Sequence, residues 1–262
     1  MLSTMGRYSG ILEESSSKGS GLRRGRAGPA AGGSLREAAY RRIEDLLNTG
    51  ALRPGQIISQ RELVALTDTT LGSVREAVPR FEAEGLLKTL PQRGLMVPSL
   101  DPAFVGDAYQ MRRLIELAAL AALVDAKGMA LVTGWIGWHE AALVQMAGLS
   151  PAEQADFLDR LQRFDWQMHT TAVQHMGNRL IANVYRVTAI KIRMAVQQRI
   201  RVTFGNAQRV IAEHLAILQP LARGDLARAQ EAMGFHLDNS LAIALGGQAR
   251  PEPREDQTGG SA

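Results

Sequence analysis

From Pro102 to about residue 247 the sequence places apolar residues at helical spacing. It carries almost none of the period-two alternation that a strand requires. Six helices are expected, near 102–127, 129–147, 151–176, 178–203, 206–223 and 225–246. Gly177-Asn178 and Gly224-Asp225 each set a helix-ending glycine before a residue that caps the next helix. Short turns between long helices make antiparallel neighbours, so this part reads as an all-α antiparallel helical bundle.

Upstream, the pattern changes. SLRE, Ser34 to Glu37, and SQRE, Ser59 to Glu62, are capping boxes that open two helices. The first is expected to end before Gly50. A third helix is expected from Thr70 to Gly85. LLKTL and GLMVP bracket PQRG as a β-hairpin. Three helices and a hairpin in residues 34–98 form the layout of a winged helix-turn-helix, so the chain as a whole is expected to be mostly α. Residues 99–104 hold the linker PSLDP's last prolyl turn, and the helical domain is expected over 105–247. Residues 1–33 and 248–262 lack apolar periodicity and read as disordered tails.

Composition matters at three points. No cysteine is present, which removes disulfides, thiolate ligands and a cysteine nucleophile and suits a reducing cytoplasm. No uncharged apolar run approaches the roughly 18–20 residues that span a bilayer, and the first residues lack a basic stretch followed by an apolar one. Net charge is +4. Residues 1–98 hold 14 Lys/Arg against 10 Asp/Glu, and residues 99–262 hold 16 against 16, so the excess lies entirely upstream. That distribution suits a polyanionic partner, although five of those bases fall in the N-terminal tail.

A recognition helix enters the major groove with small or polar residues at its start and basic residues on its exposed face. Here Thr70, Gly72 and Ser73 are small, and Arg75 can reach a phosphate or a guanine edge. Arg61 on the preceding helix and Arg93 at the hairpin tip extend the positive footprint. Gly94 lets the wing backbone approach a groove wall. The same layout would serve a module that binds protein.

The bundle raises a different question. Asp165 and His169 lie four apart and share a helix face. His214 precedes Gly224 by 10 residues and His236 follows it by 12. At 1.5 Å per residue these sit roughly 15 and 18 Å from the turn, at similar heights in an antiparallel pair. Asp165 and His169 precede Gly177 by 12 and 8 residues. One Asp and three His suit a divalent ion such as Zn²⁺, Ni²⁺ or Mn²⁺. A hydrogen-bonded Asp–His pair in a core explains the i,i+4 spacing equally well.

LRPG, REL, VREAV, EAEGLL and the RG of the wing strongly resemble the DNA-binding domain of GntR-family bacterial transcription regulators, across residues 35–98. The resemblance implies dimeric binding of operator DNA. This chain departs from the pattern at three places. Thr70-Leu71 stands where the family has Ser-Arg, Asp68 stands where a glycine is expected, and Pro79 lies inside the recognition helix, where a bend is expected.

MRRLIELAALAAL, DWQMH and EHLAILQPLARGDLARAQEAMGFH resemble the FCD ligand-sensing domain of FadR-type members. That resemblance assigns Asp165, His169, His214 and His236 as metal ligands, with zinc the first choice. It implies a small carboxylic acid as effector. Arg112 matches the arginine of the family's R-x-x-L-E pattern and is the first choice for effector contact, its alternative being an ion pair with Glu116. Gln167 is a further effector candidate, and Asn183, Arg186 and Arg193 on the next helix are weaker ones. His139 and His175 match no family role, and Trp135, Trp138 and Trp166 are assigned to packing. The expected protein is a metabolite-responsive repressor. The competing classes are a metal-dependent hydrolase, for which no general base is evident, and an adaptor that does not bind DNA.

Overall fold

The computed structural model describes residues 31–99 and 102–251. Three helices and a small sheet come first: α1 (Ala31–Thr49), β1 (Ile57–Ile58), α2 (Gln60–Thr67), α3 (Leu71–Ala83), β2 (Lys88–Leu90) and β3 (Gly94–Met96). Six long helices follow: α4 (Pro102–Ala122), α5 (Ala126–Ala147), α6 (Pro151–His175), α7 (Arg179–Ile200), α8 (Phe204–Ala222) and α9 (Leu226–Ala244). The winged helix-turn-helix and the six-helix domain are thus both present.

Local signals set most boundaries. Ser59 and Glu62 form the capping box of α2, and Thr70 caps α3 by accepting from the Ser73 amide. Asp68 takes up the left-handed conformation, with φ +45°, between α2 and α3. That is the physical reason for a glycine there, and aspartate is among the few residues that tolerate it. The helix continues past Pro79 to Ala83.

Three expectations are corrected. Ser34 lies inside α1, which starts at Ala31, so it does not cap that helix and residues 31–33 do not belong to a tail. The expected tail over residues 1–30 lies outside the described residues, as does 252–262. The first bundle helix ends at Ala122 rather than near 127. Asp125 caps α5 there through the Gly128 amide at 2.6 Å, and a Cβ on Gly128 would lie 2.3 Å from the Leu123 carbonyl oxygen. Residues 248–251 are not loose: the Arg250 amide donates to Asn239 Oδ1 at 2.8 Å, and Asn239 Nδ2 donates back to the Arg250 carbonyl.

The wing has three strands in the order β1-β3-β2, all antiparallel. Gly94 lies at φ +107°, and a Cβ there would stand 2.6 Å from the Ile58 carbonyl oxygen. Its smallness therefore serves the β1–β3 contact. No groove wall is needed to explain it.

The core of the winged domain is built on Ile43, Leu47, Leu63, Val74, Phe81 and Leu86, all fully buried or nearly so. It does not close by itself, because Ile190 and Met194 of α7 belong to the same cluster. In the helical domain α9 packs between α8 and α4, α5 lies against α8, and α7 contacts α4, α6 and α1. The inward faces of α4, α6, α8 and α9 thereby meet at one level.

Candidate functional site

Asp165, His169, His214 and His236 do meet there. One ligating atom from each lies within 4.8 Å of all the others. The three imidazoles are buried. Asp165 Oδ1 stands 3.1 Å from His214 Nε2 and 3.7 Å from His169 Nε2.

The outer partners of the imidazoles decide which nitrogen faces inward. His139 Nδ1 lies 2.7 Å from the Trp135 carbonyl oxygen, which can only accept, so that nitrogen carries the proton. In neutral His139, Nε2 is then an acceptor, and His214 Nδ1 donates to it at 2.9 Å. His214 Nε2 is left with a bare lone pair. His236 Nδ1 donates to Glu213 Oε2 at 2.8 Å, and His169 Nδ1 lies 2.6 Å from Glu116 Oε2. In neutral rings with the proton on Nδ1 both Nε2 atoms are acceptors, an assignment that rests on a hydrogen bond for His236 and on closeness to Glu116 for His169. These tautomers follow from the hydrogen-bond network.

With the three rings neutral, three nitrogen lone pairs and a carboxylate converge on one point. His169 Nε2 and His214 Nε2 have no hydrogen-bond partner among the described residues, although both are buried. Burial pushes the His139 pKa down to about 3 and lowers that of His214, which keeps both rings neutral and able to donate electron pairs. Burial disfavours the Asp165 carboxylate, yet His214 and the other imidazoles lower its pKa, an attraction that operates when a ring carries a proton and that a cation would supply in its place. Buried acceptors facing acceptors are costly unless a cation lies between them. The donor set, N₃O from neutral imidazoles and one carboxylate, fits a divalent ion, and each histidine has the outer anchor that metal-ligating histidines have.

A second layer surrounds the first. Glu116 Oε1 accepts from Arg112 Nε at 2.6 Å and from the Tyr185 hydroxyl at 2.9 Å. Burial opposes its ionisation, yet Arg112 and His169 hold its pKa well below the usual range. Glu213 also accepts from Arg209 and Asn239. Despite burial, the His236 bond and these donors hold its pKa at about 2. Both carboxylates are thus anionic supports for a histidine.

A cavity of about 40 Å³ opens beside the cluster, lined by Arg112, Asp165, Trp166, Arg199, Arg209 and His236 among others. Arg112 is here as expected, and the ion pair with Glu116 is here too. Trp166 also lines the cavity, with the Arg112 guanidinium 5.2 Å from its ring centroid, so it is more than packing. Trp138 does pack, stacked on Phe164 at 3.6 Å.

Three expected effector residues are elsewhere. Gln167 is exposed, because it lies between Asp165 and His169 in sequence but points off their face. Asn183 is exposed and accepts from Arg186. Arg186 sits at the domain junction, donating to Glu44 at 2.8 Å, Glu84 at 2.6 Å and the Tyr40 hydroxyl at 2.7 Å. The residues missed were His139, Glu116 and Glu213 as anchors, and Arg199 and Arg209 on the cavity wall. Their signal in the sequence was polarity on an otherwise apolar helix face. His175 is apart from all this, meeting Asp125 at 3.0 Å.

In the winged domain Arg61, Thr70, Gly72, Arg75 and Arg93 are exposed. Arg75 Nε donates to Gln60 at 3.3 Å. Ser73 is buried and its hydroxyl is tied to that of Thr70 at 2.8 Å, so it supports the cap and does not stand on the exposed face.

The model of the bacterial regulatory proteins of the gntR family matches residues 35–97, and that of the FCD domain matches residues 107–239. An HTH-type transcriptional regulator in an unstable DNA locus of Streptomyces ambofaciens is 28% identical over 208 residues, covering 79% of this chain and 83% of the relative. The regulator BphR of Paraburkholderia xenovorans is 22% identical, covering 80% and 85%. Two solved structures share the fold. McbR/YncC of E. coli has a TM-score of 0.66 at 15% identity, covering 81% of this chain and 97% of its own. A GntR regulator of Rhodococcus sp. RHA1 has a TM-score of 0.60 at 19% identity, covering 81% and 98%. No described helix is long and apolar enough to cross a membrane. The FCD match takes in half of the chain and follows directly on the match to the DNA-binding domain, so the chain belongs to the GntR family of bacterial transcription regulators, in the FCD-bearing group, and not to a class of enzymes.

Proposed function

We propose that the chain is a metabolite-responsive repressor that works in the cytoplasm as a homodimer on a two-fold operator. Asp165, His169, His214 and His236 hold a divalent ion, zinc first and nickel or manganese next. The observation that carries this is the convergence of three buried imidazoles on one carboxylate, with His169 Nε2 and His214 Nε2 buried and without a hydrogen-bond partner among the described residues. When bound, the ion supplies a positive centre that attracts a carboxylate.

The effector is a small carboxylic acid in the cavity beside the cluster. Arg112 is buried there with its Nε committed to Glu116, and a guanidinium has four further N–H groups to offer. On the DNA side, Arg75 and Arg61 on the helices and Arg93 on the wing make the contacts, with Thr70 and Gly72 allowing close approach. The effector acts by binding one arrangement of the two domains better than the other.

Two measurements on one preparation test this. Elemental analysis of protein purified without added metal is expected to find about one ion per chain, lost in His214→Ala. A gel shift on a fragment carrying the chain's own promoter is expected to show binding that weakens with salt and survives in His214→Ala. Full metal occupancy in that variant sinks the ligand assignment. Absence of any shift at low salt, with or without candidate acids, sinks the DNA reading.

A further inference from the structure

Between the two domains lies a second and much larger cavity, a cleft of about 1000 Å³. Small-molecule sites favour domain boundaries, and this is at the upper end of their size range. One wall comes from the end of α1 and the turn after it, from Asp45 to Pro54. The other comes from α6 and the C-terminal half of α7.

The charge of these walls is unbalanced. Arg53, Arg163, Arg193, Arg199 and Arg201 face Asp45 and Asp159. Asp159 is already matched by Arg201 at 3.5 Å. Four of the five arginines are exposed, and Arg193 is the one set partly out of solvent. Its Nε donates to the neutral amide of Asn48 at 3.0 Å, and its guanidinium lies 4.3 Å from the Trp166 ring centroid. Glu44 and Asp165 favour its charge electrostatically, but among the described residues neither forms an ion pair with it. Burial accordingly lowers its pKa, to about 10. A desolvated guanidinium that its neighbouring carboxylates do not pair with directly gains from an anion that does.

The cleft adjoins the metal cavity but is lined largely by other residues. The two share Gln162, Trp166, Arg199 and Ile200, but Arg112, Asp165 and His236 belong only to the smaller one. We propose that the interdomain cleft is a second anion site, for a small organic anion with two or more negative charges, held by Arg53 of the winged domain and by Arg163 and Arg193 of the helical domain. Polycarboxylates and phosphorylated metabolites share this chemistry. Because its cations come from both domains, the occupant clamps one domain against the other.

Isothermal titration of the full chain, stripped of metal by a chelator, tests this with citrate and pyrophosphate as probes. Metal-free protein prevents either probe from acting as a chelator. At least one probe is expected to bind saturably, and the tighter one tells whether carboxyl or phosphoryl groups are preferred. Arg53→Gln and Arg163→Gln, both at exposed positions, are each expected to weaken binding about tenfold or more, with unchanged thermal melting. His214→Ala is expected to bind as the wild type does. Three results would overturn the proposal: no saturable binding of either probe, arginine variants that bind normally, or loss of binding in His214→Ala. Metal content and DNA binding are read separately, so failure here leaves the function proposed above standing.

Discussion

Tyr185 and Arg186 are consecutive on α7 and hold opposite domains. The Tyr185 hydroxyl donates to Glu116, the carboxylate behind His169, at 2.9 Å. Arg186 donates to Glu44 and Glu84 of the winged domain at 2.8 and 2.6 Å. Successive helical residues point about 100° apart, so one helix braces the histidine cluster with one face and grips α1 and α3 with the next. Arg186→Ala leaves the partly buried Glu44 without its ion-pair partner and Glu84 with Arg80 alone. It is expected to destabilise the chain by about 2 kcal/mol, read as a lower melting temperature with unchanged metal content. Tyr185→Phe is expected to weaken metal binding instead and leave the junction intact. Equal effects of both variants on both readouts would show that α7 does not divide the two tasks.

His139 is not one of the four proposed ligands, yet through its hydrogen bond to His214 it sets the tautomer of that ring. Its replacement by Phe is expected to lower metal affinity about 10- to 100-fold, the usual cost of losing an outer-shell partner. DNA binding in the absence of effector should not change. A chelator competition titration checks this, and wild-type affinity would remove His139 from the site.

Arg75 and Arg93 should differ in kind. Arg75→Ala is expected to cost about 1–3 kcal/mol and to relax preference at one operator position, as loss of a base contact does. Arg93→Ala on the wing should weaken all sequences alike and reduce the salt slope by about one. Binding isotherms at several salt concentrations on operator and scrambled DNA separate the two. Identical salt slopes for both variants and the wild type would place neither residue on a phosphate.

Gly94→Ala is expected to damage the wing. The new methyl would stand 2.6 Å from the Ile58 carbonyl oxygen at a residue with φ +107°, a strain of about 1–3 kcal/mol. Thermal melting should drop, and DNA affinity with it. Unchanged melting would mean that β1 moves aside freely.

Acid should weaken the helix caps. Asp125 has its pKa lowered by the Gly128 amide, Glu62 by that of Ser59, and Glu153 by the Ser150 hydroxyl. A depressed carboxylate contributes stability that is present above its unfolded pKa, about 4, and is lost as pH falls through the folded value. Melting temperature should therefore fall below about pH 4. Asp125→Asn keeps a cap acceptor without a charge and should show a shallower fall. An identical pH profile in the variant would remove Asp125 from the effect.

The order of elements was readable because it rests on local chemistry. Ser59 with Glu62, Gly177 with Asn178 and Gly224 with Asp225 act over a few residues, so their signals survive in one dimension. Ser34 misled for the same reason: a capping motif was present, but the helix began upstream of it at Ala31. Helical rise and two tight turns translate sequence distance into height, which put Asp165, His169, His214 and His236 at one level, and the resemblance to the FCD domain then grouped them as a set.

What surrounds that set was decided by packing between distant segments. His139 reaches His214 across 75 residues and Tyr185 reaches Glu116 across 69. No local rule links such pairs, because their meeting depends on which faces of α4, α5, α7 and α8 turn towards one another. Arg186 shows the same limit from the other side. Its charge and position on α7 suggested the effector site, but only the docking of α7 against α1 turned it to Glu44 and Glu84. The sequence by itself thus determined the helices, the wing and the common height of Asp165, His169, His214 and His236, since periodicity and capping act locally. Tertiary structure alone decided the tautomers, the buried carboxylates and the arginine-lined cleft, since these arise where the faces of separate helices and domains come together.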